Sequence, residues 1–326
     1  MRIDPILSSL RRDAGPQRRA QRVLEAVRAE WKADRGVSEV LAQFVDYGAG
    51  RPLADCPTLA AVACDCGRAS AFLAPLINGL VAELSRHPIG HVPFRHQYAS
   101  GISVLLLGES GRATLSLVTY QNELLSGRSP AQSVCFTGGE RYECYLAGSA
   151  EACIVEACGE TDQGARLVER QLGLDAGETL ALDGARVTKL VTRVPQRLVM
   201  LRLSRVPERP PPAREYRLAD GRLIHRASGS RRESREEMMI ALLGRMGRTD
   251  AGEVFANLAG SAGSEHLRWE ALRQCLSLGT AEGFAALSRL AADRDNVLAA
   301  PAAALRSRLA SIHPELACLE TGPCRA

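Results

Sequence analysis

Lysine is almost missing from this chain. Lys32 and Lys189 are the only two among 41 basic residues, so the formal charge of +4 rests on arginine. Those arginines sit among acids, as in Arg11–Arg12–Asp13 and Arg231–Arg232–Glu233, the pattern of a solvated mixed-charge surface. A nucleic-acid binder is expected to show a concentrated basic face with stacking aromatics. Aromatics make up only 4% of the residues, so nucleic acid is not an expected partner and Ala, Leu and Val must build most of the core. Long apolar runs are missing as well. Nothing approaches the roughly 18 residues of a membrane span, and MRIDPILSSLRRD lacks the apolar stretch of a secretory signal. The expectation is a cytoplasmic protein with no membrane partner. There, ten cysteines are not expected to form a disulfide framework. Cys64–Asp65–Cys66, with Cys56 nearby, lacks the paired C-x2-C spacing of a zinc site. Cys144, Cys153 and Cys275 lie in apolar runs as small hydrophobes. No G-x-S-x-G elbow, Walker loop, G-x-G-x-x-G fingerprint or H-E-x-x-H is present, and this scarcity counts against catalysis.

What is present is a change of hydrophobic period along the chain. Residues 1–90 read as helices. Val23, Leu24, Val27 and Trp31 recur at helical spacing before Gly36, which is expected to end the segment. Phe72, Leu73, Leu76, Ile77, Leu80 and Leu84 line another helix, stopped by Pro88 and Gly90. Residues 91–226 break into short apolar segments with Gly-rich turns, from a hairpin around Glu109–Ser110–Gly111 to one around Asp220–Gly221. That spacing predicts an antiparallel sandwich or barrel. Residues 227–326 turn helical again, where Ser234 and Glu237 have capping-box spacing. Residues 267–309 resemble HEAT-type helical repeats, which implies a surface for a protein partner. In that stretch Trp269, Leu272 and Leu276 are expected to pack on Phe284, Leu287 and Leu290. The tail from 318 to 326 is expected to be loose. The fold class is thus α+β in three regions, 1–90, 91–226 and 227–326, with a joint at the Pro-rich stretch 207–213.

The stretch FTGGERYECYLAGSAEACIVE (136–156) resembles the first motif of the cupin superfamily: two histidines around one residue, a glutamate, then a strand ending in glycine. The histidine positions fall at Thr137 and Gly139, the glutamate at Glu143 and the glycine at Gly148. LGLDAGETLALDGARVTKLV (172–191) is similar to the second motif, with Gly177 and Gly184 at the glycines and Val187 near the histidine. The resemblance implies a cupin-like barrel over 91–226. Its metal chemistry needs imidazoles and a carboxylate around a divalent ion, yet only Glu143 among the four ligand positions is a competent donor.

The expected function is therefore a non-catalytic binding or regulatory protein without a cofactor. Its barrel would take a small molecule in its mouth, with Glu143, His96 and Tyr98 as ligand-binding residues, and its C-terminal helices would hold a protein partner. A structural variant makes the barrel a homodimerisation module. The alternative is a metal-dependent cupin-type enzyme, an oxygenase or isomerase, holding a divalent transition metal on the displaced set His91, His96 and Glu143 with Tyr98 nearby. SRHPIGHVPFRHQY (85–98) carries three of the chain's six histidines. His87 and His91 are four apart, but Pro88 and Gly90 between them oppose a shared helix. Bonding of these histidines to backbone or water is the plainer expectation. Glu140, in the turn before the first motif, is expected to be dispensable.

Overall fold

The computed structural model describes residues 13–122, 131–261 and 263–319, and among those residues the helical period of the N-terminal region becomes four α-helices. They are α1 (Gly15–Ala33), α2 (Arg35–Ala49), α3 (Pro57–Cys64) and α4 (Cys66–Arg86). The break between α1 and α2 falls at Asp34, one turn's edge before the expected Gly36. Asp34 closes α1, and its carboxylate accepts from the Val37 N–H at 3.0 Å to cap α2. Helix α4 ends at Arg86, with His87 at its C-cap, as Pro88 and Gly90 require.

Among the described residues eleven strands follow. They are β1 (Arg95–Ala99), β2 (Ile102–Ser110), β3 (Ala113–Gln121), β4 (Ser133–Phe136), β5 (Glu140–Cys158), β6 (Arg166–Asp175), β7 (Thr179–Asp183), β8 (Val187–Arg193), β9 (Arg197–Arg205), β10 (Ala213–Arg217) and β11 (Leu223–Ala227). The main sheet runs β1-β2-β3-β9-β5-β6, with β7 and β8 also paired to β5. A smaller sheet has the order β11-β10-β4. The expected hairpin at 109–111 is present, pairing Ser110 with Ala113. The antiparallel arrangement agrees with a cupin-like region, but the expected barrel does not close: β1 and β6 remain the ends of the path.

Strand β5 organises this region. The first-motif resemblance implies a strand ending at Gly148; the chain instead continues as one strand of 19 residues, with register shifts on both sides of that glycine. Its first part pairs with β9 and β7, and its second part with β6 and β8. Gly148 makes the passage possible. Its φ is +79°, and a Cβ there would lie 1.8 Å from the Arg197 carbonyl oxygen.

Side chains alternate across a strand, and here both faces are used. Leu201 and Leu203 of β9 join Leu115 and Cys144 against Trp31, Phe44, Tyr47 and Leu76 of the helices. Leu198 and Met200 of the same strand turn the other way, onto Val118, Tyr145, Ala152 and Leu174. One face of the sheet is thus sealed by helices, and the other is the inner face.

By its contacts the chain forms two compact units, one of Met1–Glu208 with Glu215–Ile224 and one of Arg209–Arg214 with His225–Ala326. The second unit holds α5 (Arg231–Arg245), α6 (Gly252–Gly260), α7 (Glu265–Leu278), α8 (Thr280–Ala292) and α9 (Ala299–Ile312). Helix α5 is capped one turn earlier than expected, by Ser230, whose hydroxyl accepts from the Glu233 N–H. Leu272 packs with Phe284, Leu287 and Leu290 in the core of this unit, while Trp269 and Leu276 are half-buried at its edge. Residues 320–326 of the expected tail lie outside the described residues. Among the described residues no single helix is long and apolar enough to cross a membrane.

Candidate functional site

Three successive residues of one parity on β5 set the site: Arg141, Glu143 and Tyr145 share the inner face. Glu143 lies directly opposite Arg202 of β9, and Lys189 reaches over from β8. The Glu143 carboxylate is completely buried, and the Lys189 side chain is 2% exposed. Lys189 Nζ donates to Glu143 Oε2 and to the Tyr145 hydroxyl oxygen at 3.0 Å. The Tyr145 hydroxyl donates to Glu143 Oε2 at 3.0 Å. Arg202 Nε donates to Glu143 Oε1 at 2.9 Å. Lys189 also sits 5.0 Å from the centre of the Tyr145 ring, a cation–π distance.

These neighbours decide the protonation states. Burial alone would raise the Glu143 pKa, but Arg202 and then Lys189 overcome it and bring it from 4.5 to about 2. The same carboxylate works on its partners. Burial pushes the Tyr145 hydroxyl well up, and the adjacent Glu143 charge adds to the rise. Lys189 is lowered by burial, against the pull of Glu143. Arg141 is lowered by burial and then by the charge of Arg202. At neutral pH Glu143 is an anion with no proton to give, and both of its oxygens are engaged.

The residues expected from sequence do not gather here. His96 Nε2 is 2.7 Å from Ser103 Oγ on exposed strand β1. There His96 pairs with Leu105, a residue of the helix-covered face, so His96 and Tyr98 lie on the opposite side of the sheet from Glu143. His91 Nε2 is 3.4 Å from Gln17 Nε2 of α1, and the His91 N–H is bonded to Gln21. His87 lies 3.8 Å from Glu83 of its own helix. The three histidines are therefore divided among a helix end, a connecting segment and a strand. Among the described residues no group of three His, Cys, Asp or Glu side chains could hold a metal ion. Thr137, Gly139 and Val187 offer no ligand, and Glu143 is already held by two cations, so these residues do not fit the metal that the cupin resemblance implies.

Sequence reasoning reached Glu143 and missed Arg141, Tyr145, Lys189 and Arg202. One signal was available. Lys189 is one of only two lysines and stands at the same strand parity as Val187 and Val191, in the middle of an apolar run. Glu140, expected in a turn, begins β5 instead. It bonds Arg205 and accepts from the hydroxyls of Tyr47 and Tyr142, each at 3.0 Å. Arg205 stacks 4.0 Å from the Tyr47 ring centre and donates to the Tyr47 carbonyl oxygen at 2.9 Å. This group ties α2 to β5 and β9, so Glu140 is a structural anchor rather than a spare turn residue.

No family profile matches the chain, and no curated protein matches it. About a third of it is similar to parts of solved structures. A cupin superfamily protein from Desulfitobacterium hafniense is 16% identical, with 34% of this chain and 83% of that chain covered at a TM-score of 0.24. The CENP-C cupin domain of Drosophila melanogaster is 12% identical, with 34% and 74% covered at a TM-score of 0.26. Hydroxypropylphosphonic acid epoxidase from S. wedmorenis is 9% identical, with 34% and 54% covered at a TM-score of 0.25.

Proposed function

We propose that this is a non-catalytic binding protein, with the inner face of its β unit as the seat of a small-molecule ligand. The observation that supports this reading is the state of Glu143. Its two oxygens are committed to Arg202, Lys189 and Tyr145, and it stays ionised down to strongly acid pH. A carboxylate so engaged is neither an open metal ligand nor a proton carrier. It is a fixed charge that shapes the floor of a site. The metal-enzyme reading would require Glu143 to leave two buried cations and meet histidines held on other elements. In the second unit, the HEAT-type resemblance and the partner role of the helices belong to the same proposal. Met238 and Leu242, exposed one turn apart on α5, with Met246 exposed at its C-cap, are the feature that supports the partner role.

The test is metal content. The full-length chain is purified from cells supplied with iron, manganese, nickel and zinc, and bound metal per chain is measured by mass spectrometry. The proposal expects far less than one ion per chain, unchanged in Glu143→Gln. Near-stoichiometric metal that disappears in Glu143→Gln would overturn it.

A further inference from the structure

We infer that the inner face of the β unit binds a small oxyanion, the carboxylate or phosphate group of a metabolite-sized ligand, through the guanidinium of Arg141; this rests on the binding-protein reading above. The charges on the inner face carry the inference. Arg141, Lys189 and Arg202 surround a single carboxylate, Glu143, so three positive charges meet one negative and two remain uncompensated. Two of the three cations are spent on Glu143: Lys189 through Nζ and Arg202 through Nε. Arg141 is the exception. Among the described residues its guanidinium makes no hydrogen bond or close ion pair; half-buried on the face it shares with Glu143 and Tyr145, it feels the Glu143 charge only at a distance.

A charge held in a partly dry site without an acceptor is unfavourable, and buried charges in proteins are normally paired. An incoming anion removes that penalty and is drawn by the whole positive excess. The planar fork of a guanidinium matches the two oxygens of a carboxylate or phosphate. Glu143 and Lys189, at 0% and 2% exposed, are too deep to be touched and serve as the polar floor. Arg141, half-buried, and Arg202, 20% exposed but already bonded to Glu143 through Nε, are the members nearer the surface, and of the two Arg141 has its guanidinium uncommitted. A neutral or cationic ligand would leave the excess charge in place.

A second basic location serves as the control. Arg19, Arg22, Arg86 and His87 line a cleft of about 610 Å³ between α1 and the end of α4, but it is open, and Arg86 is already bonded to Glu83 at 2.5 Å.

The experiment uses the full-length chain carrying Trp269→Phe, so that fluorescence reports Trp31 in the β-bearing unit. Thermal unfolding is followed while inorganic phosphate, and separately citrate, is titrated at constant ionic strength against chloride. We expect a saturable rise in Tm, as for any ligand that binds only the folded state. Arg141→Gln should weaken apparent binding by at least about tenfold, Arg141→Lys should retain part of it, and Arg22→Gln should leave it unchanged. Without added anion, Arg141→Gln should melt at the parent temperature or above it, because it removes an unpaired charge. The inference is overturned by a parent that shows no saturable rise, by an Arg141→Gln variant that keeps the rise, or by loss of the rise in Arg22→Gln. It is equally overturned if Arg141→Gln melts lower without anion, which marks Arg141 as a structural residue. If neutral small molecules bind while both anions fail, the anion claim falls and the binding-protein reading stands.

Discussion

Replacing Glu143 with leucine removes the one carboxylate from a buried group of three cations, and the cost can be worked out in two ways. Deleting one partner of a buried ion pair typically costs about 3–5 kcal/mol, because the other charge is left uncompensated. Independently, the fall of the Glu143 pKa from 4.5 to about 2 corresponds to roughly 3 kcal/mol at 1.36 kcal/mol per unit. The two figures agree. The sign follows from linkage. An acid with a depressed folded-state pKa stabilises the fold fully above its unfolded value near 4.5 and loses that contribution as pH falls toward about 2. The deficit of Glu143→Leu should therefore be complete at neutral pH and shrink in strong acid. Lys189→Met alone should cost less, because Arg202 still holds Glu143 at 2.9 Å. The double variant should cost less than the sum of the singles by about 2 kcal/mol, the signature of a coupled pair. Urea unfolding in the Trp269→Phe background, read by Trp31, measures all four species. Trp31 suits the task because it is buried, with its indole N–H on the Phe72 carbonyl at 2.9 Å. A cost below about 1 kcal/mol for Glu143→Leu, or additivity within about 0.5 kcal/mol, would refute the reasoning.

Three further outcomes follow from the same structure. Glu140→Leu strips partners from Arg205, Tyr47 and Tyr142; with Glu140 one-third exposed, the loss should be about 1–2 kcal/mol, with faster amide exchange in Arg35–Ala49. Gly148→Ala sets a Cβ 1.8 Å from the Arg197 carbonyl at φ +79° and should cost at least about 2 kcal/mol in urea unfolding. Leu272→Ala should cost about 2–5 kcal/mol and expose α7 and α8 to proteolysis, whereas Trp269→Ala, at the edge of that core, should be milder; equal sensitivity would contradict this placement.

Much of the architecture is legible in the sequence because local chemistry fixes it. Pro88 and Gly90 end α4 whatever surrounds them, and the apolar spacing of Phe72, Leu73, Leu76 and Leu80 is visible before any fold is known. The hairpin at 109–111 is likewise local. Other features depend on partners distant in sequence. Gly148 looks like a strand end from its neighbours alone, but β9 and β6 pair on both sides of it and carry one strand through. The first cupin-type motif led to Glu143, whereas its role comes from Lys189 and Arg202, which lie 46 and 59 residues away. His96 and Tyr98 were reasonable candidates as a pair on one strand face. Only the register of β1 with β2 shows that this face is not the one carrying Glu143.

Glu143 is an engaged carboxylate, ionised at neutral pH and held by Lys189 and Arg202, and its own titration measures that hold. In the full-length protein with carboxyl-labelled glutamate, the Glu143 resonance is assigned by its loss in Glu143→Gln and followed by carbon NMR from neutral pH into strong acid. No titration step is expected until the pH nears about 2. A step at or above the ordinary value of 4.5 would mean that Lys189 and Arg202 do not hold the carboxylate.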